Sequence, residues 1–249
     1  AGRESSSLSF LKETGVELKD GKAWRKWIDL DEGERTKIIS ALTKLLITKG
    51  FGSSLSLRLV GEVYELNKEE VGTELRDAKE YSTLLNSTAR YGHEDVGLEI
   101  CMGDRGEYLE KAKSLLKNHR RNIVKGIKFV KQEGIQEYGM LQYFNAGGHI
   151  KDTVVGIIAG IILHSRHTKS DNPIIGFADK DDGDVKASAR TIAPLVNRGI
   201  DLSKAMQKAA GQLGGTGGGH DIAAGAVIPR GTEYEFLEML DREIRNQLT

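Results

Sequence analysis

The sequence predicts an α/β fold in which a mixed β-sheet occupies the C-terminal part and a mostly helical region precedes it. Strand-like and helix-like segments alternate from about Tyr138 onward. Asp182-Gly183 stands between two short strand-like runs and is typical of a hairpin turn. Upstream of Tyr138, apolar residues recur with helical spacing. These patterns divide the chain into three predicted parts, residues 1–66, 67–137 and 138–249.

Residues 1–66 are predicted to form a helical segment that resembles an insertion. Asp31 is expected to cap a helix, with Glu34 as its capping-box partner. Gly50 and Gly52 are expected to end this helix, and Arg58 to Leu66 is predicted to be a short strand. The apolar stripe of the helix consists of Ile38, Ile39, Leu42, Leu45 and Leu46.

Residues 67–137 are predicted to form a helical connector that ends in a long helix, Glu107 to Gln132. A shorter helix or turn is expected around Val96 to Met102. The side of the long helix that faces away from its apolar residues is basic. This pattern fits either a solvent-exposed face or a surface that contacts the phosphates of a nucleic acid. Its basic residues are Lys111, Lys113, Lys117, Arg120, Arg121, Lys125, Lys128 and Lys131.

Residues 138–249 carry the alternating pattern of the predicted mixed sheet. The predicted strands are Gly139 to Asn145, Ile174 to Ala178, Val185 to Thr191 and Ala223 to Ile228. The predicted helices are Asp152 to His164, Leu202 to Leu213 and Glu233 to Asn246. Asp179, Asp181, Asp182 and Asp184 form a dense acidic run that we interpret as a hairpin turn, because it lacks the spacing of a calcium loop.

The composition restricts the class of protein and the kind of site. Lys plus Arg and Asp plus Glu each number 36, so any nucleic-acid binding must use a local basic patch. The single cysteine, Cys101, excludes an internal disulfide, favours a cytoplasmic location and is expected to be a small core residue. No apolar run is long enough for a membrane span. The chain begins at Ala1 without a signal-peptide pattern, so we expect a fragment of a longer protein.

The segment from Gly214 to Gly219 contains five glycines in six residues and is followed by His220. Without Cβ atoms, several backbone amides of such a loop can converge on one anion, and a helical turn beginning at Asp221 would add to that site. His220 would then lie beside the anion. A tight turn between a helix and a strand explains the glycines equally well from the residues alone.

Gly217-Gly218-Gly219-His220-Asp221-Ile222-Ala223-Ala224-Gly225 resembles the signature of the DHH-associated domain of RecJ-like phosphoesterases. In that family the loop and the histidine hold the sugar-phosphate end of the substrate. The resemblance therefore implies a nucleic-acid-binding role for Gly217, Gly218, Gly219 and His220. It also implies that residues 138–249 form a DHH-associated domain.

Three further stretches resemble the same family in order and spacing. Lys186-Ala187-Ser188-Ala189-Arg190 resembles a Lys-Gly-Ser-Ala-Arg strand whose serine and arginine face nucleic acid, with Ala187 in place of a glycine. Leu85 to Tyr91 resembles the segment before the connector helix and retains Arg90, with Ala89 in place of a glycine. Ile150 to Gly156 resembles an Ile-Arg-Asp-Thr-Leu-Val-Gly stretch. The resemblance thus adds Arg90, Lys186, Ser188 and Arg190 to the predicted binding residues.

The resemblance implies two alternative functions. In the first, this chain is the strand-gripping part of an exonuclease that degrades single-stranded DNA or RNA in replication or repair. The catalytic DHH domain would hold manganese or magnesium, and its Asp-His-His is absent from this chain. We therefore expect no catalytic residue, no metal site and no nuclease activity in the chain alone. In the second, the chain resembles archaeal scaffold proteins that bind GINS and the replicative helicase.

Overall fold

The computed structural model describes residues 4–50, 57–165, 168–169 and 171–248. The chain separates into two compact units, Ala1–Ser82 and Thr83–Thr249. The α/β class with a mixed sheet is confirmed, whereas the division into three parts stays a prediction. None of the described helices is both long enough and apolar enough to cross a membrane.

The described part of the first unit includes the helices α1, Glu4–Glu13, and α2, Glu32–Thr48, with a two-stranded ribbon between them. The ribbon pairs β1, Lys19–Asp20, with β2, Ala23–Trp24. The predicted capping box at the start of α2 is confirmed. The Glu34 amide donates to Asp31 Oδ1 at 2.8 Å, and the Asp31 amide donates to Glu34 Oε2 at 3.0 Å.

Glu34 joins this cap to the preceding turn. The Arg25 guanidinium donates to both Glu34 carboxylate oxygens, at 2.8 and 2.6 Å, and lowers the pKa of Glu34 to about 2. α2 then ends at Thr48, two residues before Gly50, whose φ of +79° closes the helix in the left-handed region. Gly52, the other predicted end, lies outside the described residues.

The strand predicted over Arg58 to Leu66 is wrong. Leu57–Leu59 is a 3-10 turn, and Glu65 makes only an isolated bridge with Asp77. A strand needs one face that it can bury, and the apolar side chains of this segment remain in solvent. Those of Val60, Val63 and Tyr64 are 63%, 66% and 69% exposed.

Between residue 78 and the sheet, the described chain forms the helices α3, Ala78–Ala89, α4, Glu94–Met102, and α5, Glu107–Glu133. The short helix or turn predicted around Val96 to Met102 is the helix α4, and the long helix predicted over Glu107 to Gln132 is confirmed as α5. Cys101, however, is exposed, and its prediction as a core residue is wrong. Val96 and Ile100 are the buried apolar side chains of α4, and a helix turns about 100° per residue, so Cys101 lies about 140° around the helix from Val96 and about 100° from Ile100.

The sheet of the second unit has six strands in the order β3-β4-β5-β6-β8-β7. The strands are β3, Gln136–Tyr138; β4, Leu141–Asn145; β5, Ile174–Asp179; β6, Val185–Arg190; β7, Thr216–Gly219; and β8, Ala223–Ile228. The helices after the long connector are α6, Asp152–Leu163; α7, Ala193–Asn197; α8, Leu202–Gln212; and α9, Glu233–Leu248. β4 and β5 are parallel because α6 connects them, and every other neighbouring pair is antiparallel.

The two faces of the sheet are covered by different helices. α8 and α9 pack on one face through a core that includes Phe177, Phe236 and Leu240. α6 packs on the other face over β5 and β6, and α5 packs on α6. On β8, Ala224, Ala226 and Ile228 are buried, whereas the alternate positions are only partly buried. The α6 side of β8 therefore remains accessible.

The glycine segment is an edge strand rather than an anion-binding loop, so the predicted loop is wrong. β7 pairs with β8 over Thr216–Gly219, and His220 and Ala223 close a hairpin around the two residues between them. Asp221 lies in this hairpin and starts no helix. A Cβ on Gly217 would lie 2.5 Å from the Met206 carbonyl oxygen, so this glycine allows β7 to pack on the backbone of α8.

Gly217 and Gly218 offer a matched test of this packing. Gly217→Ala should lower the free energy of unfolding by about 1–3 kcal/mol, because its Cβ meets fixed backbone. Gly218→Ala should change it little, since no atom lies within 4 Å of the corresponding Cβ position. Urea unfolding followed by circular dichroism measures both. Equal destabilisation of the two variants would contradict the close approach of β7 to α8.

Candidate nucleic-acid interface

A cleft of about 550 Å³ lies in the second unit, between the first turn of α6, the end of α3 and one face of β6 and β8. Four of the eight predicted binding residues line this cleft: Arg90, Lys186, Ser188 and Arg190. The last three alternate along β6, so the two-residue period of a strand places them on the same face. The structure thus brings together side chains that are up to a hundred residues apart in sequence.

Arg190 lies in a groove of α6 that two glycines create. A Cβ on Gly156 would lie 2.5 Å from Arg190 Nη2, and Gly160, one turn later, lies beside the stem of the same side chain. Arg190 Nη1 donates to the Ala189 carbonyl at 2.7 Å. Burial lowers the pKa of Arg190, with a smaller contribution from Arg90. The guanidinium is therefore held in a fixed position and is partly dehydrated.

Lys186 and Ser188 continue this row along β6. Lys186 Nζ lies 3.0 Å from the position of a Cβ on Gly225, so the ammonium extends over the bare backbone of β8. Burial lowers the pKa of Lys186, and the nearby carboxylate of Asp152 partly opposes this shift. Ser188 is buried, with its hydroxyl close to Gly156.

Arg90 is positioned by a reciprocal pair of hydrogen bonds. Its Nη1 donates to the Thr153 carbonyl at 2.6 Å, and the Thr153 hydroxyl donates to the Arg90 carbonyl at 3.0 Å. These bonds fasten the end of α3 to the first turn of α6. They place a second guanidinium on the wall of the cleft that faces β6.

The cleft carries an excess of positive charge. Arg90, Lys180, Lys186 and Arg190 line it, against the single carboxylate of Asp152. Lys180 forms an ion pair with Asp182 in the β5–β6 turn. Within the described part of the chain, no carboxylate lies at ion-pair distance from the other three cations. Cations that are removed from solvent usually have a partner, so the arrangement of these partly buried side chains fits an anionic ligand.

The other four predicted residues lie beside the cleft rather than in it. Strand register places Gly218 opposite Gly225, which is itself opposite Ser188. These residues form a row about 10 Å long across the sheet. Gly218 has open space above it, whereas Gly217 and Gly219 pack against the neighbouring backbone. His220 is exposed at the hairpin end.

The sequence-based prediction missed the residues that position the cations. Thr153 holds Arg90, Gly156 and Gly160 accommodate Arg190, and Gly225 lies under Lys186. The Gly-x-x-x-Gly spacing in α6 was the available signal, since small residues one turn apart let another group approach a helix closely. No group of three or more His, Cys, Asp or Glu residues in the described ranges is placed to hold a metal ion.

Two domain families match this chain. Residues 132–246 match the DHHA1 domain, and residues 1–60 match the DHH-CID domain. The chain is 32% identical over 246 residues to the uncharacterized protein MJ0831 of Methanocaldococcus jannaschii. That alignment covers 98% of this chain and 49% of the relative, so the chain spans about half the length of that protein.

The fold is similar to that of RecJ from Thermus thermophilus. The structure in complex with Mn²⁺ has a TM-score of 0.56 at 18% identity and is matched over 86% of this chain and 30% of that chain. The structure in complex with Mg²⁺ has a TM-score of 0.55 at 19% identity, over 86% and 31% of the two chains. The DHHA1 match lies within the second unit and includes its six-stranded sheet.

Lys186→Met should raise the unfolding midpoint or leave it unchanged, because it removes a partly buried charge that has no ion pair. Burial depresses the folded pKa below the usual 10.5, so charged Lys186 opposes folding at neutral pH. This penalty disappears as the pH rises from the folded pKa towards 10.5. The difference in unfolding midpoint between Lys186→Met and the wild type should therefore become smaller at alkaline pH.

Thermal unfolding of both proteins over a pH series measures this difference, with Lys186→Arg as the charge-preserving control. Inorganic phosphate should stabilise the wild type and stabilise Lys186→Met less, because binding to the folded state raises the midpoint. A large loss of stability in Lys186→Met at neutral pH would contradict the dehydrated, unpaired ammonium.

Proposed function

Because the DHHA1 and DHH-CID matches and the RecJ neighbours support a RecJ-like protein of the DHH superfamily, we propose that this chain grips single-stranded nucleic acid within such a protein. The observation that carries the proposal is the row of Lys186, Ser188 and Arg190, which faces Arg90 across a cleft without a matching set of carboxylates. In this proposal, the cleft binds the sugar-phosphate backbone of the strand.

Each of these side chains has a distinct task in the proposed complex. A guanidinium presents a rigid fork of N–H groups that can hold two phosphate oxygens, and Arg190 is fixed in that role by Gly156. Lys186 adds a point charge, and Ser188 offers a hydroxyl donor. Because the site is partly dehydrated, each contact with a phosphate is stronger than it would be in water.

The accessible backbone of β7 at Gly218, beside the cleft, leaves room for an extended nucleic-acid strand. Gly218 presents bare backbone on the same face as Ser188, whereas Lys186 extends over Gly225, so a sugar or base can lie flat on Gly218. His220 is exposed at the hairpin end and can stack on a base, an interaction that tolerates any sequence. Phosphate contacts and stacking together favour a single strand, DNA or RNA, bound without sequence preference.

Cleavage is assigned in this proposal to a DHH domain that is not among the residues of this chain. The RecJ structures that resemble the chain are complexes with Mn²⁺ or Mg²⁺. We expect such ions to be held by the DHH domain, where a pair of metal ions would activate water and stabilise the leaving oxygen. The present chain would position the strand for that reaction. A cytoplasmic location and a role in DNA replication or repair belong to the same proposal.

Arg190→Ala should weaken the binding of a fluorescein-labelled single strand and reduce the slope of log K against log[salt] by about 0.7, the value for one lost phosphate contact. Gly218→Val should also weaken binding, because the valine side chain would occupy the open space above residue 218. Valine favours the strand conformation, so β7 itself should be retained. Fluorescence anisotropy over a salt series measures both effects.

Arg242→Ala is the matched control, since Arg242 lies on α9, the helix of the opposite sheet face, and bonds only Gln212 among the described contacts. It should bind like the wild type. Unchanged affinity and salt slope in both Arg190→Ala and Gly218→Val, with normal circular dichroism, would remove the support for the proposal.

A second candidate function is a non-catalytic scaffold that binds GINS. It is favoured by apolar side chains that the first unit leaves in solvent: Trp27, Ile28 and Ile47 are 51%, 50% and 58% exposed. Large exposed apolar side chains are typical of surfaces that bind another protein. The occupant in this candidate is the GINS complex of the same cell.

The scaffold candidate predicts that the tagged wild type retains purified GINS in a pull-down. A double variant, Trp27→Ala with Ile28→Ser, should lose most of it, while Arg190→Ala keeps it. Failure of the wild type to retain GINS would eliminate this candidate and leave the nucleic-acid proposal intact.

A further inference from the structure

A second, smaller pocket of about 260 Å³ lies beside the cleft in the same unit. Tyr91, Asn122, Lys125, His149 and Lys151 contribute its polar side chains. Arg90 and Asp152 line the cleft, whereas their chain neighbours Tyr91 and Lys151 line this pocket. Consecutive Cα atoms are about 3.8 Å apart, so the two sites adjoin.

Tyr91 forms a rigid wall of this pocket. Asn122 Nδ2 donates to the Tyr91 hydroxyl at 3.0 Å, and that hydroxyl lies 3.2 Å from His119 Nδ1. Burial lowers the pKa of His119. The contacts with Asn122 and His119 together fix the position of the Tyr91 ring.

Two ammonium groups face the space enclosed by this wall. Lys151 Nζ lies 5.5 Å from the centroid of the Tyr91 ring, a cation–π contact that keeps the charge at the pocket. Lys125 projects from α5 on the other side. Neither lysine has a carboxylate at ion-pair distance within the described ranges. His149 stacks on Phe129 with a centroid distance of 4.7 Å and thereby fixes the loop that closes the pocket.

We propose that this pocket is a second phosphate subsite, which receives the phosphodiester adjacent to the one held by Arg190 and Arg90. The inference rests on the proposed function, because it takes the strand to pass from the cleft across Arg90 and Tyr91. A phosphodiester carries one negative charge, and the two ammonium groups, which have no carboxylate partner within the described ranges, can both approach its two free oxygens. Beyond Lys125, the exposed basic residues Arg121 and Lys128 on α5 extend the positive surface along the same path.

The test compares strand lengths. Fluorescein-labelled dT2, which has one internucleotide phosphodiester, and dT8 are titrated with the full chain and its variants. The double variant Lys125→Gln with Lys151→Gln should bind dT8 about fivefold to tenfold more weakly, with a salt slope smaller by about 0.7. It should bind dT2 like the wild type, because one phosphodiester occupies the cleft alone. Arg190→Ala should weaken the binding of both.

The single variant Lys111→Gln is the control, because Lys111 lies on the same helix about 21 Å from Lys125 and outside both pockets. If the double variant binds dT8 as Lys111→Gln does, while Arg190→Ala is impaired, the second subsite is refuted and the proposed function stands. If Arg190→Ala binds dT2 and dT8 like the wild type, the proposed function fails. If the double variant loses affinity for dT2 as much as for dT8, the lysines belong to the cleft itself and the subsite is refuted.

Discussion

The contact between Arg190 and the glycines of α6 is the constraint on which the rest of the site depends. It requires that α6 cross β6 closely enough for the guanidinium to lie against Gly156 and Gly160. This crossing also brings the first turn of α6 to the mouth of the cleft, where Thr153 holds Arg90. Partial burial of the Arg190 guanidinium without a carboxylate partner among the described residues opposes folding, and the surrounding core of α6 and the sheet offsets that cost. A bound phosphate would stabilise the Arg190 charge that lowers the stability of the free protein.

The glycines of this unit serve packing, and the proposed binding would add a second task. Gly217 lets an edge strand lie on the backbone of α8, and Gly225 lets Lys186 extend over β8. Gly218 faces the accessible side and has no close neighbour. Alternate residues of a strand face opposite sides of the sheet, so the same stretch packs on α8 through Gly217 and leaves Gly218 accessible for the proposed binding. The loop interpretation was wrong because these glycines form a strand.

Much of the fold could be predicted from the sequence, because local chemistry fixes it. The capping box of α2, the helical period of α5 and the Asp182-Gly183 turn each act within a few residues. β7 could not be predicted, since four residues with three glycines show no alternation of side chains. The cleft was predicted only in part. The resemblance identified Arg90 and Arg190, but their partners Thr153 and Gly156 lie 63 and 34 residues away, and a single sequence does not record such contacts.

The most direct measurement is a crystal structure of the chain with a bound oligothymidylate. We expect one phosphodiester within hydrogen-bonding distance of Arg190 and Ser188, with a sugar or base lying over Gly218. Placement of the strand there would join the cationic row of β6 to the accessible backbone at Gly218 in one binding surface. A strand bound only along the outer side of α5 or on the first unit, with the cleft unoccupied, would contradict the account.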